Sequence, residues 1–186
     1  MDRRALMRRA MILVAGAAMP MPVLAMPVGD GNFFSPAQLD VLAAYADTLI
    51  PETDTPGAMG AGVPLAVDAM MRDWASAETR KAFVSALDGL EAAARGAGGR
   101  SLAALPPSQR FAVVKAFDAA RIGELKTAAD ASDAPLARPY GRLKELVMIT
   151  YYLSEPGATQ ELRYELIPGE WNAEMPLGKD QRAWAV

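Results

Sequence analysis

The sequence predicts an all-α protein, an irregular bundle of about five helices with an extended, irregular C-terminal tail. Three observations predict it. Apolar residues recur at helical spacing in successive segments between residues 35 and 153. Capping residues, prolines and glycines stand where those segments should start and stop. From residue 154 onward, proline and glycine interrupt every possible period. At 52% hydrophobic and 22% charged residues over 186 positions, the composition is that of one globular domain of ordinary size.

The first 25 residues are organised differently. Arg3, Arg4, Arg8 and Arg9 precede an uncharged run from Ala10 to Ala25 that ends in Val23-Leu24-Ala25. That order is the basic, apolar and small-residue sequence of an export signal. Within it, Asp2-Arg3-Arg4-Ala5-Leu6-Met7 carries a twin arginine followed by a large apolar residue, the pattern read by the twin-arginine export route. Pro20 and Pro22 break the apolar run, which falls short of the ~20 residues a membrane-crossing helix needs. The expectation is cleavage after Ala25 and a periplasmic protein. Removing residues 1–25 takes away four arginines and one aspartate, which leaves 15 basic and 21 acidic residues and a formal charge of −6. An acidic body argues against nucleic acid as a partner.

Residues 26–34 are expected to form a short linker, and residues 35–153 the helical domain. Ser35-Pro36-Ala37-Gln38 combines a capping serine, a proline suited to the first turn and a glutamine that completes a capping box. Leu39, Leu42, Ala43, Ala46, Leu49 and Ile50 then mark one apolar face up to Pro51. Residues 51–62, Pro-Glu-Thr-Asp-Thr-Pro-Gly-Ala-Met-Gly-Ala-Gly, are read as a long ordered loop and a candidate contact surface. Leu65, Val67, Ala69, Met70 and Trp74 suggest a helix over 64–75. Another starts near Ser76 and carries Phe83, Leu87 and Leu90 to a stop at Gly96–Gly99. A further helix from Pro107 presents Phe111, Val114, Phe117, Arg121 or Ile122, and Leu125, with a turn at 129–135. The nearly continuous apolar run Leu143–Leu153 is read as a central buried helix. The tail, residues 154–186, needs a surface to lie on.

Cysteine and histidine are absent from the whole chain. Their absence removes covalent c-type haem, iron–sulfur clusters, the usual zinc sites and a Ser-His-Asp triad from this chain. Glu52 and Asp54 could serve as acid and base or hold calcium, but Asp54 before Thr55-Pro56-Gly57 is what a turn uses for local hydrogen bonds. Tyr151, Tyr152, Glu155, Gln160, Glu161, Arg163 and Tyr164 cluster around a Gly-Ala-Thr turn. An enzyme using Glu155 or a tyrosine for proton transfer is one reading, and an ion-paired scaffold or a binding surface is the other. The glycine-rich stretches at 57–62 and 96–99 lack the phosphate-loop patterns, so no cofactor site is expected in this chain.

Ala46-Asp47-Thr48-Leu49-Ile50-Pro51-Glu52-Thr53-Asp54-Thr55-Pro56-Gly57-Ala58 and Ser154-Glu155-Pro156-Gly157-Ala158-Thr159-Gln160-Glu161-Leu162-Arg163-Tyr164 resemble the gluconate 2-dehydrogenase subunit 3 family. Ala61-Gly62-Val63-Pro64, the Tyr151-Tyr152 pair and Pro168-Gly169 extend the resemblance over most of the chain. Trp171-Asn172-Ala173-Glu174-Met175-Pro176 departs from it, where a tyrosine-aspartate-glycine-cysteine run would be expected. The resemblance implies a non-catalytic small subunit of a periplasmic or membrane-associated dehydrogenase of sugars or alcohols. It further implies a large FAD-carrying partner of the glucose-methanol-choline type and a cytochrome c subunit with haem as electron acceptor. Export and stability of the large subunit would be its tasks, with Arg3 and Arg4 as the export signal. Glu155, Gln160, Leu162, Arg163, Tyr164 and Trp171 are the candidate partner interface, and Leu162, Tyr164 and Trp171 its apolar part. An autonomous periplasmic binding or scaffold protein of helical fold is the alternative.

Overall fold

The computed structural model describes residues 31–127, 136–164, 174, 176, 178–179 and 181–184. The chain divides at Gly31 into two units, Met1–Gly31 and Asn32–Val186, of which the first lies outside the described residues except for Gly31. Arg3, Arg4 and the expected cleavage site therefore lie outside them too, as do the expected turn at 129–135 and Trp171. The second unit is all-helical among the described residues. Its elements are α1 (Pro36–Leu49), α2 (Val63–Asp73), α3 (Ala77–Gly98), a 3₁₀ turn (Leu102–Ala104), α4 (Pro107–Thr127), α5 (Ala137–Tyr152) and a single π-helical turn (Gly157–Glu161). Among the described residues there is no strand, only an isolated parallel bridge between Arg163 and Trp184.

The capping chemistry places α1 where the sequence puts it. Ser35 Oγ accepts from the Gln38 amide at 3.3 Å and Gln38 Oε1 accepts from the Ser35 amide at 3.2 Å. Val41, Leu42, Ala44, Tyr45 and Ala46 are all buried, so α1 is enclosed on more than one side, by α2, α3, α4 and the 3₁₀ turn. In α2 the buried positions are Val63, Pro64, Val67, Asp68 and Met71, an i, i+4, i+8 face. Leu65 and Trp74, read from the sequence as part of the apolar pattern, stand in solvent. Ser76 caps α3 by accepting from the Thr79 amide at 3.1 Å, and Gly99, at φ +67°, ends it. Phe83, Ala86, Leu87, Leu90 and Ala94 carry its packing.

Two further expectations change. The last two residues of the expected 26–34 linker pack on the domain, with Phe34 buried in the core and Phe33 edge-on against it at 4.9 Å. The helix α4 packs through its middle alone. Val114 and Phe117 are buried, whereas Phe111, Ile122 and Leu125 are exposed. Polar ties hold it to its neighbours: Arg110 pairs with Asp47 of α1 at 3.0 Å, and Asp118 accepts from Tyr140 at 3.0 Å and Lys144 at 2.7 Å, both on α5. Tyr140 in turn packs on Phe117 and Tyr45. Burial pushes both tyrosine hydroxyls well above their ordinary range, helped by the Asp118 carboxylate, so they stay protonated.

Glu91 on α3 shows how the 3₁₀ turn is fastened. Its carboxylate accepts from the Leu102 amide at 3.0 Å, Ser101 Oγ at 3.0 Å and Arg95 Nε at 2.8 Å. Burial opposes its charge, but these donors more than offset that and hold the carboxyl below its usual 4.5. A depressed pKa contributes stability that is present above the usual value and lost as pH falls through the folded one. Glu91→Gln is therefore expected to be less stable than wild type at pH 7, with the difference shrinking below about pH 4. Paired thermal melts across pH 3–7 check this, and a constant difference would refute it.

Candidate functional site: the face built by the Pro51–Gly62 loop and the Ser154–Tyr164 segment

The loop between α1 and α2 doubles back on the end of α1. The Ala58 amide donates to the Ile50 carbonyl at 2.9 Å and the Val63 amide to Ala58 at 3.0 Å. A Cβ on Gly57 would lie 2.5 Å from the Glu52 nitrogen, so only glycine allows this approach. Asp54 behaves as a turn residue, its carboxylate accepting from Thr53 Oγ1 at 3.1 Å. Thr55, by contrast, is buried.

The segment after α5 folds back in the same manner. Ser154 Oγ donates to the Tyr151 carbonyl at 2.6 Å and accepts from the Gly157 amide at 3.2 Å, which turns the chain into the π-helical turn. A Cβ on Gly157 would sit 2.0 Å from the Tyr151 carbonyl oxygen.

The two segments are joined to each other across about a hundred residues of sequence. Thr55 Oγ1 donates to Glu161 Oε2 at 2.6 Å, and Tyr151 OH donates to the Pro56 carbonyl at 2.9 Å. Burial, with the Glu161 carboxylate nearby, raises the Tyr151 pKa, so this hydroxyl stays protonated and donates. Farther along the chain, the Arg163 amide donates to the Ala183 carbonyl at 2.7 Å, and the Arg163 guanidinium stands 4.2 Å from the centre of the Trp184 ring. Arg182 donates to the Gln160 carbonyl and faces Asp54 at 3.9 Å. Thr159, Leu162, Arg163, Tyr164, Gln181 and Arg182 line an open cleft of about 440 Å³.

The family model described as Gluconate 2-dehydrogenase subunit 3 matches residues 36–169, well over half of the chain. The chain belongs to this family. No curated protein and no solved structure matches it. As a gluconate 2-dehydrogenase subunit 3 protein, it is by description a component of a dehydrogenase complex, and both segments described above fall inside the matched region.

Of the candidate interface residues of this subunit 3 chain, Glu155, Gln160, Arg163 and Tyr164 are exposed and Leu162 is half-buried. Trp171 lies outside the described residues. Glu161, grouped with them in the sequence, is instead the internal tie to Thr55. The site is a polar surface that presents arginine and aromatic side chains, residue types enriched at binding surfaces. Among the described residues no group of three Asp or Glu carboxylates is placed to hold a metal ion, and no helix is long and apolar enough to cross a membrane.

Sequence reasoning missed a second feature. The run Leu143–Leu153 is not buried all round: Leu143, Val147, Thr150 and Tyr151 face the core, whereas Met148, Ile149, Tyr152 and Leu153 are exposed. The signal was present in the surplus of apolar residues, since one face of a helix two to three turns long needs only about half of its positions apolar.

Proposed function

We propose that this chain is the non-catalytic accessory subunit of a flavin-dependent dehydrogenase of sugars or alcohols, and that it carries the catalytic subunit out of the cytoplasm and stabilises it. The observation that carries this reading is the family membership, joined to the way both family-like segments fold into one surface. The partner is a large FAD-containing flavoprotein of the glucose-methanol-choline type, and a cytochrome c takes up its electrons. The partners carry the redox chemistry, in keeping with the lack of cysteine and histidine in this chain for a c-type haem or a cluster. The twin-arginine route suits such a pair, since a flavoprotein must fold around its cofactor before export. Arg3 and Arg4 supply the signal, and the complex works in the periplasm, at the membrane.

Affinity purification of the tagged chain from its native host, followed by an absorption spectrum, tests the reading. A yellow complex with a large co-eluting flavoprotein is the expected result. A colourless chain eluting alone would favour an autonomous binding or scaffold protein. Arg3→Lys combined with Arg4→Lys is expected to hold both this chain and the flavoprotein in the cytoplasm, as read by cell fractionation. Undiminished export of both would exclude the twin-arginine signal.

A further inference from the structure

The exposed side of α5 changes character along its length. Its first half carries Arg138, Arg142 and Glu145, an ordinary solvated surface. Its end carries Met148, Ile149, Tyr152 and Leu153, which are between 40% and 74% exposed. At 100° per residue these four share an arc of about 140°. Together they present the equivalent of two whole large side chains to solvent, on the order of 400 Å². A contiguous apolar patch of that size on a single chain is commonly functional. The Tyr152 ring is steadied edge-on against Tyr151 at 5.3 Å, and Tyr151 is itself pinned to the Pro51–Gly62 loop.

We propose that this stripe is the apolar centre of the contact with the dehydrogenase subunit, and that the residues following it in the chain form the polar edge of the same contact. The inference rests on the subunit role proposed above and assigns that role a surface. The choice of occupant follows from area. A two-fold contact of the stripe with its own copy would bury about 800 Å² in all, the size of an adventitious lattice contact and about half of a standard stable interface. A different subunit is not restricted to a self-complementary patch. It covers the stripe and, in continuity, the segment Ser154–Tyr164, where Glu155, Gln160, Arg163 and Tyr164 are exposed. Methionine and tyrosine at the centre with charged residues at the margin is the composition of a specific interface.

The test uses the full chain expressed in its native host. Ile149→Asp combined with Leu153→Asp replaces exposed side chains, so the isolated variant is expected to keep its far-UV circular dichroism and to recover at least tenfold less flavin absorbance and dehydrogenase than wild type. A photo-reactive benzoylphenylalanine placed at Leu153 is expected to cross-link to the dehydrogenase subunit. The same group at Ile122, an exposed apolar position on α4, is expected to give no such adduct. Equal recovery of dehydrogenase by wild type and the double variant, with no adduct from position 153, would overturn the assigned surface while leaving the subunit role standing. An adduct from position 153 to a second copy of this chain would overturn it in favour of self-association. Wild type eluting without any dehydrogenase would remove the subunit role itself, and the assigned surface with it.

Discussion

Gly157→Ala is expected to lower the melting temperature by about 6–12 °C and to separate the two family-like segments. The added Cβ would meet the Tyr151 carbonyl oxygen at 2.0 Å, its carbon at 2.8 Å and the Tyr152 Cα at 3.1 Å. All three are backbone atoms at the end of α5, so no side-chain rotation relieves the clash. The π-helical turn has to open, and with it go the Leu162–Gly157 hydrogen bond at 3.0 Å and the placement of Glu161 against Thr55. Forcing backbone into such an overlap costs about 3 kcal/mol or more. For a body of this size that corresponds to the stated shift at ~2–4 °C per kcal/mol. Gly123→Ala is the control. That glycine lies in α4 with nothing within 4 Å of its would-be Cβ, so alanine should stabilise by about 0.5–1 kcal/mol through helix propensity. A melt in which both substitutions shift stability equally would show that the close approach at Gly157 carries no energetic weight.

Asp68→Ala is expected to cost about 3 kcal/mol, nearly as much as the glycine substitution, for an electrostatic reason. Asp68 is buried on the core face of α2, where its two carboxylate oxygens accept from the Phe34 amide at 2.8 Å and the Phe33 amide at 3.2 Å. Charge-assisted bonds of this kind are about twice as strong as neutral ones, and alanine leaves both amides without an acceptor. Phe34 is a core residue, and the Arg80 guanidinium stands 5.6 Å from the Phe33 ring, so the entry of the chain into α1 loosens as a unit. Amide hydrogen exchange at Phe33 and Phe34 should then accelerate at least tenfold, ahead of exchange in α3. Asp68→Asn, which retains one acceptor oxygen but turns an amide donor toward a second N–H, should fall between alanine and wild type. Unchanged protection of the two phenylalanine amides in Asp68→Ala would exclude the anchoring role.

Asp68 also shows how far sequence patterning reaches. It stands between Val67 and Met71, within the arc that α2 buries, and a carboxylate in an apolar stripe implies a buried partner. Nothing local identifies that partner, because the two amides it binds lie more than thirty residues earlier in the chain. The same limit applies at Thr55 and Glu161. Each reads as a turn or surface residue in its own neighbourhood, and their hydrogen bond exists only because α1 and α5 bring distant loops together.

What the sequence by itself determined is the set of interactions that act within a few residues. These include the capping box at Ser35 and Gln38, the cap at Ser76, the glycine stop at Gly99 and the bounds of α1 to α5 to within a few positions, except that α5 begins six residues before the apolar run that signalled it. They also include the chemistry excluded by having no cysteine and no histidine. Tertiary structure decided which side of each helix is covered. Leu65, Trp74, Phe111, Ile122 and Leu125 fit apolar helical patterns yet face solvent, while Phe33 and Phe34 leave the expected linker for the core. The physical reason is that periodicity reports which residues of a helix share a direction, whereas burial depends on how many neighbours are available to fill that direction. The helix α1 has them on several sides, whereas at the end of α5 Met148, Ile149, Tyr152 and Leu153 are left uncovered.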